Sequence, residues 1–574
     1  MYLKKTPQKS GRIYLSIVDG YYDKTKGYSR QITLEKLGYL DDLEKHYDDP
    51  IAFFTEKMEK MKSKKKILKA PIYFEFLPSE KLELGSDLRK NFGYSVFSSI
   101  YHELGIDKFL ASKQRSTKME ANSNDIMKLL TYSRLLCPAS KKKTFKNRSL
   151  YFEKENYSID DVYRCLSFFC KQSKELQLWI NDRIKENYGR DTSLVYYDVT
   201  NYYFEIDEQD DLRRKGVSKE HRPNPIVQMG LFMDTNGIPI TFDLFSGNTN
   251  DCLTYRPILS RIQKEYDLGK VIVVADKGMS TADNIFYTLS AKDGYVFSMS
   301  VRGADKALKA YVLDEAGYAW LGEEYKRKER LYPRTIQVTA TSGKKIKKTV
   351  HEKQVIFYSE KYAKKAKADR AATIEKALDL IKNPGKYSRS TSYGAAGYVK
   401  NISFDKGTGE ILNPSKALEL NEAKLREEEA LDGYYLIVTS EYLESSDRII
   451  EMYRGLWRIE ESFRVTKSDL EARPVFVSRE DHIHAHFLIC FIALVMARIL
   501  ELKTNRKYSI SRMIESLQKC TCAYAKQNYY LFDYYDEVLK DIGTAFDIDF
   551  SLRIRSIGEI KKNLATTKKR NNSL

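Results

Sequence analysis

Along the chain the spacing of apolar positions changes several times, and those changes divide it. Over 12–40, "RIYLSIVDGYYDKTKGYSRQITLEKLGYL", apolar and polar residues alternate on either side of "KTKG". Alternation sends successive side chains to opposite faces of a strand, so the stretch predicts a hairpin. A charged helix is expected over 50–66, ending in "KSKKK". From about 85 to 190 apolar residues recur at three- and four-residue spacing with few β-branched runs, which predicts helices. This part contains the basic cluster "SRLLCPASKKKTFKNRS".

The period then shortens. "SLVYYDVTNYYFEI" (193–206), "IVQMGLFMD" (226–234) and "IPITFDLFSG" (238–247) read as three successive strands, with "TNG" (235–237) as a tight turn between the last two. A helix at about 252–267, the buried strand "VIVVAD" (271–276), a helix at 281–291 and the strand "YVFSMSVR" (295–302) follow. The order β-β-β-α-β-α-β predicts a mixed sheet with helices against it, an α/β class of fold. Residues 303–431 change character: they are rich in Lys and Arg ("EYKRKERLYPR", "SGKKIKKTVHEK", "EKYAKKAKADR"). Hairpins are expected there over 332–359 and 397–412 and helices over 360–382 and 416–430, so the segment reads as an insertion. "DGYYLIVTS" (432–440) returns to buried-strand character, and the remainder reads as helix, ending in the basic tail "KKNLATTKKRNNSL".

Composition narrows the partners. A chain of 574 residues suits three or four domains, and 42% hydrophobic content supports real cores. Lys plus Arg number 97 against 79 Asp plus Glu, a net charge of +18. That favours a polyanion, most commonly nucleic acid, over a basic protein with no such partner. The seven cysteines form no CxxC pair, which indicates neither a disulfide framework nor a zinc site. The N-terminus lacks an apolar signal region, and the longest apolar run, "FLICFIALVMA" (487–497), is too short to span a bilayer. A cytosolic chain without a membrane partner is expected. No "GxxxxGK[ST]" loop supports nucleotide-driven chemistry.

Three carboxylates stand out. Asp198 interrupts an otherwise strand-like run; the alternative is an edge position facing water. Asp276 ends "VIVVA", at the carboxyl end of a strand, where open α/β sheets bind ligands. A turn residue or a phosphatase nucleophile would look the same. The third comes from "YRGLWRIEESFRVTKSDL" (453–470), expected as one helix with Ser445 or Ser446 as N-cap. Its apolar stripe runs through Ile449, Met452, Leu456, Ile459, Phe463 and Leu470. Tyr453, Glu460 and Lys467 recur every seven residues beside that stripe, about 10 Å apart. Glu461 points outward. The alternative for Glu460 is a surface pair with Arg464. Three hard oxygen donors suit Mg²⁺ or Mn²⁺, and two such ions can drive phosphodiester exchange. Lys467 would then reach a neighbouring phosphate, and Tyr453 a phosphate, sugar or base.

"YRGLWRIEESFRVTK" resembles the Y-x2-R-x3-E-x6-K signature of bacterial insertion-sequence DDE transposases of the insertion-sequence-four superfamily. "YYDVTNYYFE", "GIPITFDLFSGNTND", "VVADKGM", "DGYYLIVTS" and "LEARPVFVSREDHIHAHF" resemble the corresponding blocks of its long-insertion branch. The resemblance implies an RNase H-like core and a catalytic, metal-binding triad of Asp198, Asp276 and Glu460 with Mg²⁺ or Mn²⁺, as two ions. Tyr453 and Lys467 match the outer signature positions. Leu456 stands where the signature has Arg, and Arg454 or Arg458 would have to supply that cation. Arg464, Trp320 and the run Lys344, Lys345, Lys347 and Lys348 are further candidate DNA contacts; the alternative for Trp320 is a core or hairpin position. Asn248 and Asp251 are expected to support the triad. His482, His484 and His486 are not read as a metal site, since only the outer two share a helix face.

The implied organisation is an N-terminal hairpin and basic helix (1–80), a helical DNA-binding region (81–190), a core in two parts (191–302 and 432–505), the basic insertion (303–431) and a helical C-terminal region (506–574). The expected activity is cleavage and rejoining of DNA at element ends, on double-stranded terminal repeats and target DNA, as a homodimer in the DNA complex within the bacterial cytoplasm. A nuclease without strand transfer and an inert DNA-binding remnant are the competing readings.

Overall fold

The computed structural model describes residues 1–8, 11–23, 28–67, 72–216, 219, 223–322, 324–340, 342–387, 392, 394–404, 411–412 and 417–569. The chain forms two compact units, Met1–Ser86 and Asp87–Leu574. In the first, the alternating stretch folds as the strands Ile13–Asp23 and Tyr28–Tyr39, paired antiparallel. A strand not expected from the sequence, Tyr2–Pro7, pairs with the first of them. The "KTKG" turn lies outside the described residues. Helix Pro50–Ile67 follows.

The second unit is built on one sheet. Its strands are β1 (Leu194–Tyr203), β2 (Ile226–Met233), β3 (Pro239–Ser246), β4 (Ile272–Ala275), β5 (Gly294–Met299), β6 (Ala319–Trp320), β7 (Tyr325–Thr339), β8 (Lys345–Ser359) and β9 (Tyr434–Thr439). The spatial order is β6-β7-β8-β9-β5-β4-β1-β2-β3. β1, β2 and β3 form an antiparallel meander; β4 lies parallel to β1, and β5 parallel to β4. Mixed α/β order of this kind, with three antiparallel strands followed by two parallel ones, is an RNase H-like core. Helices α2 (Asp251–Glu265) and α3 (Ala282–Ser290) make the crossovers.

Both faces of the sheet are covered, which is why β1 reads as an almost unbroken apolar run. Val195, Tyr197 and Val199 pack with Tyr255, Ile258 and Leu259 of α2 on one face. Tyr196 and Tyr202 belong to the larger core on the other, with α1 (Ile159–Tyr188) and α6 (Glu480–Lys503). Asp198 shares the parity of Tyr196 and Tyr202, so it faces this second side. The eleven-residue apolar run is the middle of α6, a 24-residue helix. That helix is long and apolar enough to cross a membrane, and here it is buried inside the protein.

Two expectations need correction. The basic insertion, expected as a hairpin over 332–359 among others, carries a longer hairpin that joins the core sheet. β7 and β8 pair antiparallel along their whole length, a longer hairpin than 332–359. Lys353–Tyr358 of β8 then pairs with β9, and β9 with β5. The Lys and Arg that set this segment apart in sequence are interleaved with buried Val350, Val355 and Ile356 on the same strands. The C-terminal region is not all helical either. Short strands Thr521–Tyr524, Tyr529–Phe532 and Ile554–Ser556 form a small sheet with Arg89–Asn91. Strands of three or four residues are too short to show a period. The turn joining the first two holds Gln527 and Asn528 in the left-handed region (φ 53° and 65°), as a tight hairpin turn requires.

Candidate active site

The site begins where the carboxyl end of β4 lies against the middle of its parallel neighbour β1. Tyr197 of β1 stands opposite Ala275 of β4, so Asp198 and Asp276, the next residue on each, are carried side by side. Asp198 is partly exposed. Burial pushes its carboxyl up to about 6; Asp276 and Asp251 add to the rise, while Lys219 and the Val199 backbone oppose it. Asp276 is oriented by two hydroxyls: Ser298 Oγ donates to its Oδ1 at 2.7 Å and Tyr453 Oη at 3.2 Å. Lys219 Nζ donates to the Val199 carbonyl at the edge of this group.

The segment expected as one helix is two. α4 (Ser446–Arg454) is capped by Ser445, whose side chain accepts from the Arg448 N–H, and α5 (Trp457–Ser468) follows. Between them the bonds tighten: Leu456 N–H reaches Tyr453 O at 3.0 Å, and Ile459 N–H reaches Leu456 O at 3.0 Å. The break falls where Tyr196 of β1 crosses under the chain. A Cβ on Gly455 would lie 2.0 Å from the Tyr196 hydroxyl, so only glycine fits. Leu456 is buried, as its place in the apolar stripe predicts.

Tyr453 therefore has a partner different from the one expected. Its hydroxyl is engaged with Asp276, and burial, then the Asp276 charge, pushes the phenol up. Glu460 is exposed on α5. Lys467 lies 5.7 Å from the Tyr202 ring centroid. Burial lowers its ammonium to about 8, with Lys219 adding and Asp198 opposing. Glu461 does not point outward. Its carboxylate accepts from Arg498 of α6 at 3.0 Å, and Arg498, nearly fully buried, also bonds Glu501, Ser462 Oγ and the Arg458 carbonyl. This cluster locks α5 onto the core. Arg464 bonds Asp469 (3.4 Å) and Ser511 (3.5 Å) and makes no pair with Glu460.

Of the two arginines weighed as replacements at Leu456, Arg454 is exposed, and Arg458 packs over the turn at Gly237. Asp251 is half-buried within reach of the Asp198 and Lys219 charges, and burial raises its carboxyl. Asn248 is exposed and accepts from Ser246 Oγ at 2.9 Å. Trp320 lies exposed on the short strand β6, with Lys326 Nζ 5.2 Å from its ring. Lys344, Lys345, Lys347 and Lys348 are all exposed at the far end of the β7–β8 hairpin. His482 stacks on Tyr163, and His486 is buried against the Ala472 carbonyl.

Among the described residues no three His, Cys, Asp or Glu side chains are drawn together tightly enough to hold a metal ion. The strand register sets Asp198 and Asp276 on neighbouring strands, and Glu460 is exposed on α5. The donor chemistry still fits a hard divalent cation. The oxygens are all carboxylate, and Asp198 is raised first by burial and then by the Asp276 and Asp251 charges, effects that a cation would relieve. Sequence reasoning missed Ser298, Lys219 and Arg498. Ser298 carried a signal, as a polar residue amid the apolar β5 run; Arg498 carried one as the lone charge late in the apolar stretch of α6.

The pattern of the family described as Transposase DDE domain matches residues 208–496. The chain belongs to this family. The matched segment of the DDE transposase domain takes in Asp276 and Glu460 and begins ten residues past Asp198 (208 − 198). No curated protein matches. Among solved structures, the chain is similar to the piggyBac transposase synaptic complex with hairpin DNA, at 9% identity and a TM-score of 0.33, covering 83% of this chain and 84% of that one. The Mos1 mariner paired end complex with Mn and a pre-cleavage Mos1 transpososome each match at 12% identity and a TM-score of 0.13, covering 31% of this chain and 60% of theirs. Likenesses this distant transfer no residue role.

Proposed function

We propose that this DDE-family chain is an insertion-sequence transposase of the insertion-sequence-four superfamily, carrying the Tyr, Glu and Lys of the Y-x2-R-x3-E-x6-K signature with Leu456 at its Arg position, that cleaves and rejoins DNA at the ends of its own element. The observation that carries the reading is the placement of Asp198, midway along β1, beside Asp276 at the end of the adjacent strand β4, with the helix pair of Tyr453 and Glu460 bonded to Asp276 through the Tyr453 hydroxyl. Asp198, Asp276 and Glu460 would hold Mg²⁺ or Mn²⁺, which supplies activation of a water or 3′-hydroxyl and stabilisation of the leaving oxygen. Ser298 and Tyr453 orient the Asp276 carboxylate. Lys467 sits where it can bind a phosphate beside Asp198. Asp251 supports Asp198 from behind. Terminal repeats and target DNA are the substrates, and a homodimer is the expected form in the DNA complex.

The test replaces one carboxylate at a time: Asp198→Asn, Asp276→Asn and Glu460→Gln. Each is expected to abolish Mg²⁺-dependent cleavage of a duplex carrying the element end and to leave gel-shift binding within about threefold, since phosphate contacts elsewhere carry most of the affinity. An Asp198→Asn protein that still cleaves in Mg²⁺ would sink the triad. Joining of cleaved ends to a second duplex separates transposition from plain hydrolysis.

A further inference from the structure

A second cluster of charge lies beyond the far end of β1. Arg134, on helix Ser123–Leu136, and Lys141 are only 6% and 4% exposed, and neither has a carboxylate partner among the described residues. Arg134 donates to the carbonyls of Leu470, Glu471 and Ala139, each at 3.2 Å. Its Nε is buried with no hydrogen-bond partner. Lys141 Nζ makes one contact, to His486 Nδ1 at 3.2 Å, while His486 Nε2 is held by the Ala472 carbonyl at 3.0 Å. An ammonium has three hydrogens to donate. Two buried cations side by side without an anion are a costly arrangement.

They line one cavity of about 110 Å³ with His486, Arg473 and Ser140. That is room for roughly three or four waters, enough for one phosphate group. The single acidic side chain among its lining residues, Glu471, is exposed, and so are Lys142 and Lys143, which follow Lys141 in the chain. Burial lowers the Lys141 ammonium to about 7, with Arg134 adding to the fall; a bound anion would reverse both effects.

We propose that this cavity seats one phosphate of the DNA backbone, anchoring the duplex beside the candidate active site. Two placements favour DNA as the source. The Arg473 guanidinium lies 5.8 Å from the ring of Tyr203, the last residue of β1, so the cavity sits about 15 Å along the strand from Asp198. The 470–473 stretch that Arg134 braces also follows directly on α5, so a phosphate here would be held by the chain that carries Lys467 and Glu460. The proposal rests on the DNA transposase reading.

The test uses the full chain and two arms. Thermal unfolding is compared in sodium phosphate and sodium chloride at equal ionic strength, for the parent, Lys141→Met and Lys141→Gln. Duplex binding is then measured by gel shift across a KCl series. Arg134 is left alone because it also braces three carbonyls. The expected result is a phosphate-specific rise in Tm of a few degrees in the parent that both variants lose. The DNA salt slope of the variants should also fall by about 0.9, the value of one phosphate contact. A phosphate effect that depends on Lys141 with an unchanged DNA slope overturns DNA as the source and leaves a small-anion site. No phosphate effect in the parent, or an equal one in all three proteins, overturns the site itself. A parent that takes phosphate but binds no DNA overturns the transposase reading together with this one, whereas cleavage by the parent without a Lys141 effect overturns this one alone.

Discussion

Lys467 lies between charges of opposite sign, and its lowered proton affinity makes a contact with DNA testable by pH. The ammonium is charged below about 8 and neutral above it. If it holds a phosphate, part of the DNA affinity is present at pH 7 and is lost as pH rises through 8. The parent should therefore weaken more between pH 7 and 9 than Lys467→Met, while Lys467→Arg, charged throughout, should show no such step. Fluorescence anisotropy at fixed salt reads this, and equal pH profiles for parent and Lys467→Met would remove Lys467 from the DNA contacts. Asp198 gives the opposite lever. Its carboxyl titrates higher in the folded chain than in the unfolded one. Folding thus loses stability as pH rises from about 4 to about 6, and the full cost persists above that. Without divalent cation, Asp198→Asn should be more stable than the parent at pH 7 by about 1–2 kcal/mol, only part of what so large a rise would give in a fully enclosed group, because Asp198 is partly exposed. Mg²⁺ should close that gap by stabilising only the parent; equal Tm values in EDTA would contradict it. At this scale the sequence was readable where a charge broke a pattern, as at Asp198 and Asp276. It was silent on Lys219, which approaches from a loop with no period.

The element that matters most is the broken helix. Gly455 looks in sequence like a weak point in one helix; in the structure it is the place where Tyr196 passes. Gly455→Ala should cost about 1–3 kcal/mol as overpacking, read from the urea midpoint, and should slow cleavage by displacing α5. Tyr196→Phe in the same protein should recover part of the stability, because the hydroxyl is the nearest obstacle. No loss in Gly455→Ala would mean that the two segments can straighten. The break also explains why Glu461 was misread. A continuous 3.6-residue repeat turns it to solvent, whereas the tightened turn lets it meet Arg498. The strands and crossover helices of the core were legible because each is long enough to show its period. The C-terminal strands were not, and neither was the strand at Tyr2–Pro7.

On the scale of the whole molecule, the net charge of +18 favours an anion as partner but does not say where it would sit. Replacing Lys344, Lys345, Lys347 and Lys348 together by Gln should reduce the DNA salt slope by up to about 0.9 for each phosphate that the lysines neutralise. Stability should stay within about 0.5 kcal/mol, as these side chains are exposed. An unchanged slope in a salt series would mark the run as solvated surface. The composition shift at 303 was legible, but it suggested a separate body, because pairing between β8 and β9 joins residues about 80 positions apart and leaves no local trace.

That pairing has a consequence for how such a chain can change. β8 is one strand with two employments: Lys353–Tyr358 closes the flank of β9, while Lys345–Glu352 is paired with β7 alone. At about 3.3 Å per residue the fifteen-residue strand reaches about 50 Å. Insertions and deletions at its tip, around 340–344, would lengthen or shorten the arm without touching the sheet. Excising 303–431 would instead strip β9 of its neighbour and bare an apolar edge. Descendants of this chain can therefore resize the arm freely, but none can discard it and keep the core intact.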